Sequence, residues 1–294
     1  MELAESSKMT LRYLDLFAGA GGLSEGFLRA GFEPVAHIEM DVAACYTLKT
    51  RAAYHWLRKN DKLDVYKKYL AQEISREEFY QEIPEKILNT VLNYEISEDS
   101  LETIFEKVDQ LLGGSKLDLI VGGPPCQAYS IAGRSRDEHK MVGDKRNYLY
   151  KLYAEFLIKY QPKYFVFENV VGLLSAKDED GTLHFKNMQK LFEKCGYKTE
   201  SRVLNASDYG VLQNRKRIIL IGRRGTKIDF YPEIPTIICN HKVKELFCDL
   251  PAIHAGETLY LSLVVFSMQG MVIWNFSSKS ISMVSLILPD VTHR

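Results

Sequence analysis

With 294 residues and 46% hydrophobic content, the chain can bury one large core, or one core and a smaller lobe, which excludes a disordered or fibrous protein. Lysine plus arginine equals aspartate plus glutamate at 38 each, so a nucleic-acid surface must be local, and Arg215, Lys216, Arg217, Arg223, Arg224 and Lys227 supply one such patch. Five cysteines (Cys45, Cys126, Cys195, Cys239, Cys248) show no Cys-x-x-Cys or Cys/His spacing. Neither a disulfide framework nor a metal site is expected, and the N-terminal MELAESSKMTLRYL has no secretory pattern, so reduced thiols and a cytoplasmic location follow.

Short apolar runs alternate with helical patterns, which predicts an α/β protein with a doubly wound, mostly parallel, Rossmann-like sheet. RYLDLF (12–17) reads as the first strand, GLSEGFLRAG (22–31) as its helix and PVAHIE (34–39) as the second strand. A helix follows from Asp41 to about Lys59. Residues 60–92 are charged and helical in pattern and read as an insertion outside the sheet. Ser100 is placed to cap a helix whose apolar face is Leu101, Ile104, Phe105, Val108, Leu111 and Leu112, with Gly113 and Gly114 ending it. LDLIV (117–121) is a buried strand, 147–161 a helix and YFVFEN (164–169) another strand. A helix near 182–195 ends at Gly196, and strands near 198–204 and 217–222 complete this part. Cys45 and Cys195 fall on apolar helix faces, as buried structural thiols do.

The first strand delivers DLFAGAGG. Glycines at a strand-to-helix turn let the backbone approach a ligand, and the helix offers free N–H groups there. Glu39 ends the second strand 18 residues beyond Gly21, where a carboxylate can accept both hydroxyls of a ribose. This describes a nucleoside-cofactor site. The glycine pattern is not G-x-G-x-x-G, and at this point a dinucleotide oxidoreductase stays open.

GGPPCQAYS (122–130) then carries the chain out of a buried strand. Pro124 and Pro125 each fix φ and push the residue before them towards extended geometry, so the Cys126 thiol is held at a set angle. In a doubly wound sheet, chemistry gathers beyond the carboxyl ends of the strands near the switch point. A pre-positioned nucleophile explains such a turn better than a structural cysteine does.

Together these residues make the chain similar to the C5-cytosine DNA methyltransferases that use S-adenosylmethionine. The resemblance covers roughly residues 11–224 and rests on DLFAGAGG, Glu39, the Pro-Pro-Cys-Gln of 124–127, the Glu-Asn-Val of 168–170 and QNRKR at 213–217, in that order. NYEIS (93–97) corresponds to the family's short adenine motif, with Glu95 and Ile96 replacing its usual Asp-Ile.

The resemblance implies a role for each matched residue. Cys126 would add to C6 of a flipped cytosine, making C5 nucleophilic towards the methyl donor. Glu168, flanked by Phe165, Val166, Phe167 and Val170, is expected to be desolvated and to share a proton with N3. Asn169 would brace the neighbouring loop. Arg215 and Arg217 would face the active site, meeting the cytosine O2 and phosphate oxygens and favouring a thiolate. Phe17, Ala18, Gly19, Gly21, Gly22, Leu23, Glu39, Met40, Glu95, Ile96, Pro124 and Leu149 would line the S-adenosylmethionine pocket. Residues about 127–147 would form a catalytic loop closing over the base.

Residues 1–250 are thus expected to form the catalytic domain, with 251–294 as an atypical tail. Neither a target-recognition lobe nor the late motif completing the cofactor pocket is recognisable there, and Leu259 to Trp274 is too short and interrupted for a membrane span. The tail reads as a truncated or frameshifted frame, or as one half of a split enzyme whose partner chain carries the recognition domain. The leading expectation is double-stranded DNA as substrate, in a restriction-modification or phage setting, with weak activity of this chain alone. A tRNA cytosine methyltransferase and a non-catalytic cofactor-binding remnant are the alternatives.

Overall fold

The runs Leu119–Val121 and Tyr164–Phe167 are apolar at every residue, so their strands must be covered on both sides, which is the condition for a parallel sheet between two helical layers. The computed structural model describes residues 10–125, 149–178, 181–238 and 242–246. In chain order it has β1 (Arg12–Leu16), α1 (Gly22–Arg29), β2 (Glu33–Glu39), α2 (Val42–Lys59), α3 (Leu63–Leu70), α4 (Arg76–Gln81), α5 (Glu85–Leu88), β3 (Val91–Asn93), α6 (Leu101–Leu112) and β4 (Leu119–Gly122). There follow α7 (Leu149–Tyr160), β5 (Tyr164–Asn169), a 3-10 turn (Val171–Ser175), α8 (His184–Lys194), β6 (Tyr197–Asn205), a second 3-10 turn (Ala206–Asp208), β7 (Lys216–Arg224) and α9 (Val243–Leu246).

The strands form one sheet in the order β3-β2-β1-β4-β5-β7-β6. β1 to β5 are parallel, whereas β7 runs antiparallel to both β5 and β6. Strand order reverses between β1 and β4, so the doubly wound reading holds, and the end of β4 lies beside the switch point as expected.

Alternate side chains along the strands feed two cores. Leu14, Leu16, Ile120, Phe165 and Phe167 pack with α6, α7 and α8, whose contributions include Ile104, Val108, Tyr153, Phe156 and Phe192. Tyr13, Leu119, Val121, Tyr164 and Val166 face the other way, against Phe27, Phe32, Phe230 and Tyr231. Gly222 sits opposite Phe165 in the β5–β7 ladder, and a Cβ there would lie 1.9 Å from the Phe165 ring. Only a glycine leaves room for that aromatic.

The 60–92 segment, expected as a helical insertion, forms three short helices that end at Leu88. α3 to α5 pack on α2 through a small core of their own, built on Ala53, Leu57, Phe79 and Ile83. Ser75 and Glu78 form a reciprocal capping box at the start of α4. Val91–Asn93 is instead the edge strand β3, paired with His37–Glu39. Three residues are too few to show a two-residue period beside a helical pattern.

Ser100 departs from its expected role. Its side chain makes no cap bond to α6 and instead donates to Glu95 O at 2.5 Å while accepting from Ser97 N at 3.0 Å, which ties the 95–100 loop together. Gly113 ends α6 in the left-handed region, as expected. Cys45 is buried and Cys195 half-buried, and burial pushes both thiols up. Among the described residues no helix is long and apolar enough to cross a membrane, and no group of three or more metal-binding side chains occurs.

Candidate active site

The turn after β1 is made of backbone that most residues avoid. Phe17 (φ 56), Gly19 (φ 54) and Gly21 (φ 80) are all left-handed, and Gly21 is the N-cap of α1. Phe17 is the costly one, because its side chain disfavours that region, and its partial packing on the main core helps hold it there. Ala18 N donates to Ile38 O at 3.1 Å, locking the turn onto β2, and Ala18 packs beside Cys45 and Leu48.

Glu39 then joins the turn to α2. Its Oε2 accepts from Gly19 N at 2.7 Å and its Oε1 from Asp41 N at 2.9 Å. Asp41 in turn caps α2 by accepting from Ala44 N at 2.7 Å. Cβ atoms built on Gly19 or Gly22 would meet nothing within 4 Å, so open space lies over the turn. Met40, 60% exposed, and Val42 present apolar surface beside it. Leu23 packs into the second core beneath α1, leaving its backbone at the turn. Glu95 is exposed, whereas Ile96 is buried in the main core.

Asn93 is a contributor the sequence reading missed. Its side-chain amide donates to the carbonyls of Glu39 and Met40, at 3.0 Å each, and so fixes where Glu39 ends β2. No local pattern announces it, since its position depends on the β3 pairing.

Beneath the turn lies a buried polar chain that was also missed. Tyr13 bonds Ser24, Ser24 Oγ lies 3.4 Å from His37 Nδ1, and His37 Nδ1 lies 3.2 Å from Asp15 Oδ2. Burial raises the Asp15 carboxyl above its ordinary value, against the opposing bonds and charge of His37.

The second cluster stands on the other side of β4. Glu168, near the end of β5, has Arg217 Nε at 3.0 Å and Arg215 Nη2 at 3.8 Å from its Oε1. The two arginines therefore do share a face. The expected desolvation of Glu168 is not what the structure shows: its side chain is 28% exposed and lies between guanidinium groups. The flanking Phe165 and Phe167 point into the core on the opposite face of β5, and Val166, on the same face as Glu168, is buried in the second core.

Gly123 brings β4 and Glu168 together. A Cβ on Gly123 would stand 3.1 Å from both Glu168 O and Glu168 Oε2, so a glycine is what permits the contact. Asn169 Nδ2 donates to Pro124 O at 3.4 Å, and Asn169 Oδ1 accepts from Val170 N at 2.8 Å, which braces the diproline as expected. Pro124 is buried, and Leu149 is half-buried at the start of α7. Cys126 and the 127–147 segment lie outside the described residues, as does the 251–294 tail.

Sheet order and glycine turn define a Rossmann-like methyltransferase fold. It is shared with a solved structure described as a DNA modification methyltransferase encoded within an E. coli prophage, at a TM-score of 0.52 and 23% identity over 83% of this chain and 56% of that one. The family model for C-5 cytosine-specific DNA methylase matches residues 11–76 and 70–259, and the chain belongs to that family. It is 40% identical over 237 residues to the type II methyltransferase M.Bpa9945I of Bacillus paralicheniformis, covering 71% of this chain and 53% of that protein. It is 33% identical to the type II methyltransferase M1.HphI of Haemophilus parahaemolyticus, covering 85% of this chain and 55% of that protein. The chain thus spans about half the length of these relatives. Membership implies a methyl donor of the S-adenosylmethionine type.

Proposed function

We propose that the chain carries the catalytic half of a DNA cytosine-C5 methyltransferase of the restriction-modification type, using S-adenosylmethionine. The observation that carries this reading is that two clusters flank the carboxyl end of β4. The Glu39–Gly19 turn stands on the β1 side, and the Glu168–Arg215–Arg217 group on the β5 side.

The turn suits the cofactor. Open space over Gly19 and Gly22, N–H groups at the start of α1, exposed Met40 and a carboxylate at the end of β2 match a nucleoside bearing a short charged chain. Glu39 spends one hydrogen bond per oxygen on the backbone, and each oxygen keeps capacity for a ribose hydroxyl. The bound cofactor supplies an electrophilic methyl group.

The chain's own residues prepare the base. The Cys126 thiolate adds to C6, and electron density moves through the ring to C5. Glu168 accepts from the exocyclic amine and shares a proton with N3, which offsets the negative charge that develops on the ring during the addition. Arg217 and Arg215 hold the Glu168 carboxylate and leave Oε2 on the Gly123 side for the base. After C5 takes the methyl, a base removes the C5 proton and the thiolate leaves C6, which restores the aromatic ring and the free enzyme. The base is flipped out of the duplex, because its C6 is inaccessible in the stack.

The test is transfer of tritiated methyl from S-adenosylmethionine to duplex DNA and to tRNA in parallel. Cysteine-dependent labelling of DNA at C5 supports the reading. Labelling of tRNA alone assigns the other substrate, and no labelling of either with the cofactor bound contradicts catalysis by this chain.

A further inference from the structure

A cavity of about 600 Å³ runs between α1 and α2 over β2, from Gly21 down to the start of β1 at Arg12. Arg12 and Glu33, which open β1 and β2, line its lower end, whereas Glu39 and the glycine turn close the opposite end of those strands. Its volume is in the range of small-molecule sites.

Its walls are basic. Arg12, Arg51, Lys59 and Lys86 line it against a single carboxylate, Glu33. Arg51 is committed to Glu25 at 2.7 Å, and Arg12 lies 4.0 Å from Glu33. Among the described residues Lys59 and Lys86 make no ion pair or side-chain hydrogen bond, which leaves their charges to the cavity. They converge because α5 packs on α2, and Thr90 just beyond α5 accepts from His37 N at 2.8 Å.

Its floor holds a buried group with an unused nitrogen. His37 is 4% exposed and lines the cavity, and its Nδ1 is engaged by Asp15 and Ser24. Its Nε2 has no hydrogen-bond partner, yet it is not a sealed atom: among the described residues the only fully buried, unpartnered side-chain atom is Asn205 Oδ1. His37 lines this floor, and Nε2 is the ring nitrogen that Asp15 and Ser24 leave unengaged. Half-buried Trp56 also lines the wall, with Lys62 Nζ 5.7 Å from its ring centroid.

We infer that this cavity is a second ligand site, separate from the methyl-transfer centre, which takes a phosphate group carried on an aromatic base. Lys59 and Lys86 meet the phosphate, and Trp56 gives the base a stacking face. His37 Nε2 offers a directional contact at the floor. The phosphate could come from a free nucleotide or from a DNA backbone. The inference is independent of the proposed reaction, since its readout needs no turnover.

The test follows Trp56 fluorescence in the full chain carrying Trp274→Phe, titrated with inorganic phosphate, deoxyguanosine monophosphate and a short duplex. Saturable change with the monophosphate, tighter than with phosphate alone, is expected. The Lys59→Ala/Lys86→Ala double variant should bind about tenfold more weakly or worse, since each removes a charged contact. Both lysines are exposed, so its melting temperature and its affinity for S-adenosylmethionine should be unchanged. A duplex response that is weakened in the double variant, with a salt slope shallower by about two, assigns the DNA backbone as source. A monophosphate response without a duplex response assigns a free nucleotide. Absence of any saturable change, or equal binding by the double variant, overturns the inference.

Discussion

Arg217 Nε stands 3.0 Å from Glu168 Oε1, and the guanidinium of Arg215 approaches the same oxygen at 3.8 Å. One carboxylate oxygen therefore faces two cations from the adjacent antiparallel strand and the residue preceding it, while the other oxygen lies against Gly123. The carboxylate is oriented before any base arrives, which is the purpose of a preorganised site.

Removing that orientation should cost rate and little stability. Arg217→Ala is expected to lower single-turnover methyl transfer roughly 10- to 100-fold, and Arg217→Lys to recover only part of the loss, because an ammonium lacks the planar donor pair. The pair is partly exposed, so the melting temperature should move by no more than a few degrees. A variant that transfers methyl groups at the wild-type rate would remove Arg217 from the account.

Glu39 should matter to the cofactor through two routes. Glu39→Ala removes a charged acceptor for the ribose and also frees Gly19 N and Asp41 N. Titration calorimetry should show S-adenosylmethionine bound about 10- to 100-fold more weakly, from about 1.5–3 kcal/mol per charged hydrogen bond. NAD binding more tightly than S-adenosylmethionine to the unaltered chain would point to dinucleotide chemistry instead.

The buried pair beneath the turn is a stability element. Asp15→Ala leaves His37 Nδ1 only the longer contact with Ser24 and should cost on the order of 1–3 kcal/mol in urea unfolding, whereas Asp15→Asn, which can still bond His37, should cost less. Equal losses for the two variants would show that the bond is not what stabilises this layer.

Glu25 links α1 to α2 by bonding Arg29 at 2.8 Å, Arg51 at 2.7 Å and His55 at 3.0 Å. Burial pushes its carboxyl up, but the bonds and charges of His55, Arg29 and Arg51 outweigh this and hold it at about 2. The folded value lies below the unfolded one, so the group stabilises the fold above about pH 4.5 and loses that contribution as pH falls towards 2. Glu25→Gln should therefore be less stable at pH 6 by on the order of 1–2 kcal/mol, with the gap closing below pH 3. Unfolding curves from pH 6 to 2 that stay parallel would contradict this.

Much of the fold is visible in the sequence because long-period signals carry it. The runs Leu119–Val121 and Tyr164–Phe167 are apolar and buried residue after residue, and the α6 face repeats at helical spacing. What was hidden depends on partners distant in sequence. β3 is a strand only because Val91–Asn93 pairs with β2, and Asn93 reaches Glu39 only through that pairing. Ser100 has a capping residue's identity, but Glu95 O competes for its hydroxyl. The apolar neighbours of Glu168 suggested a dry pocket, yet the strand alternates them into the cores and β7 brings arginines instead.

The central claim is that the Cys126 thiol attacks cytosine, and the most direct measurement is covalent capture. The full chain, in excess over a 5-fluorocytosine duplex at low salt with S-adenosylmethionine, should form a complex that survives denaturing electrophoresis. Cys126→Ser should form none while still binding the cofactor. An equal complex with the serine variant, or no complex with the unaltered chain when both cofactor and duplex are bound, would contradict the account.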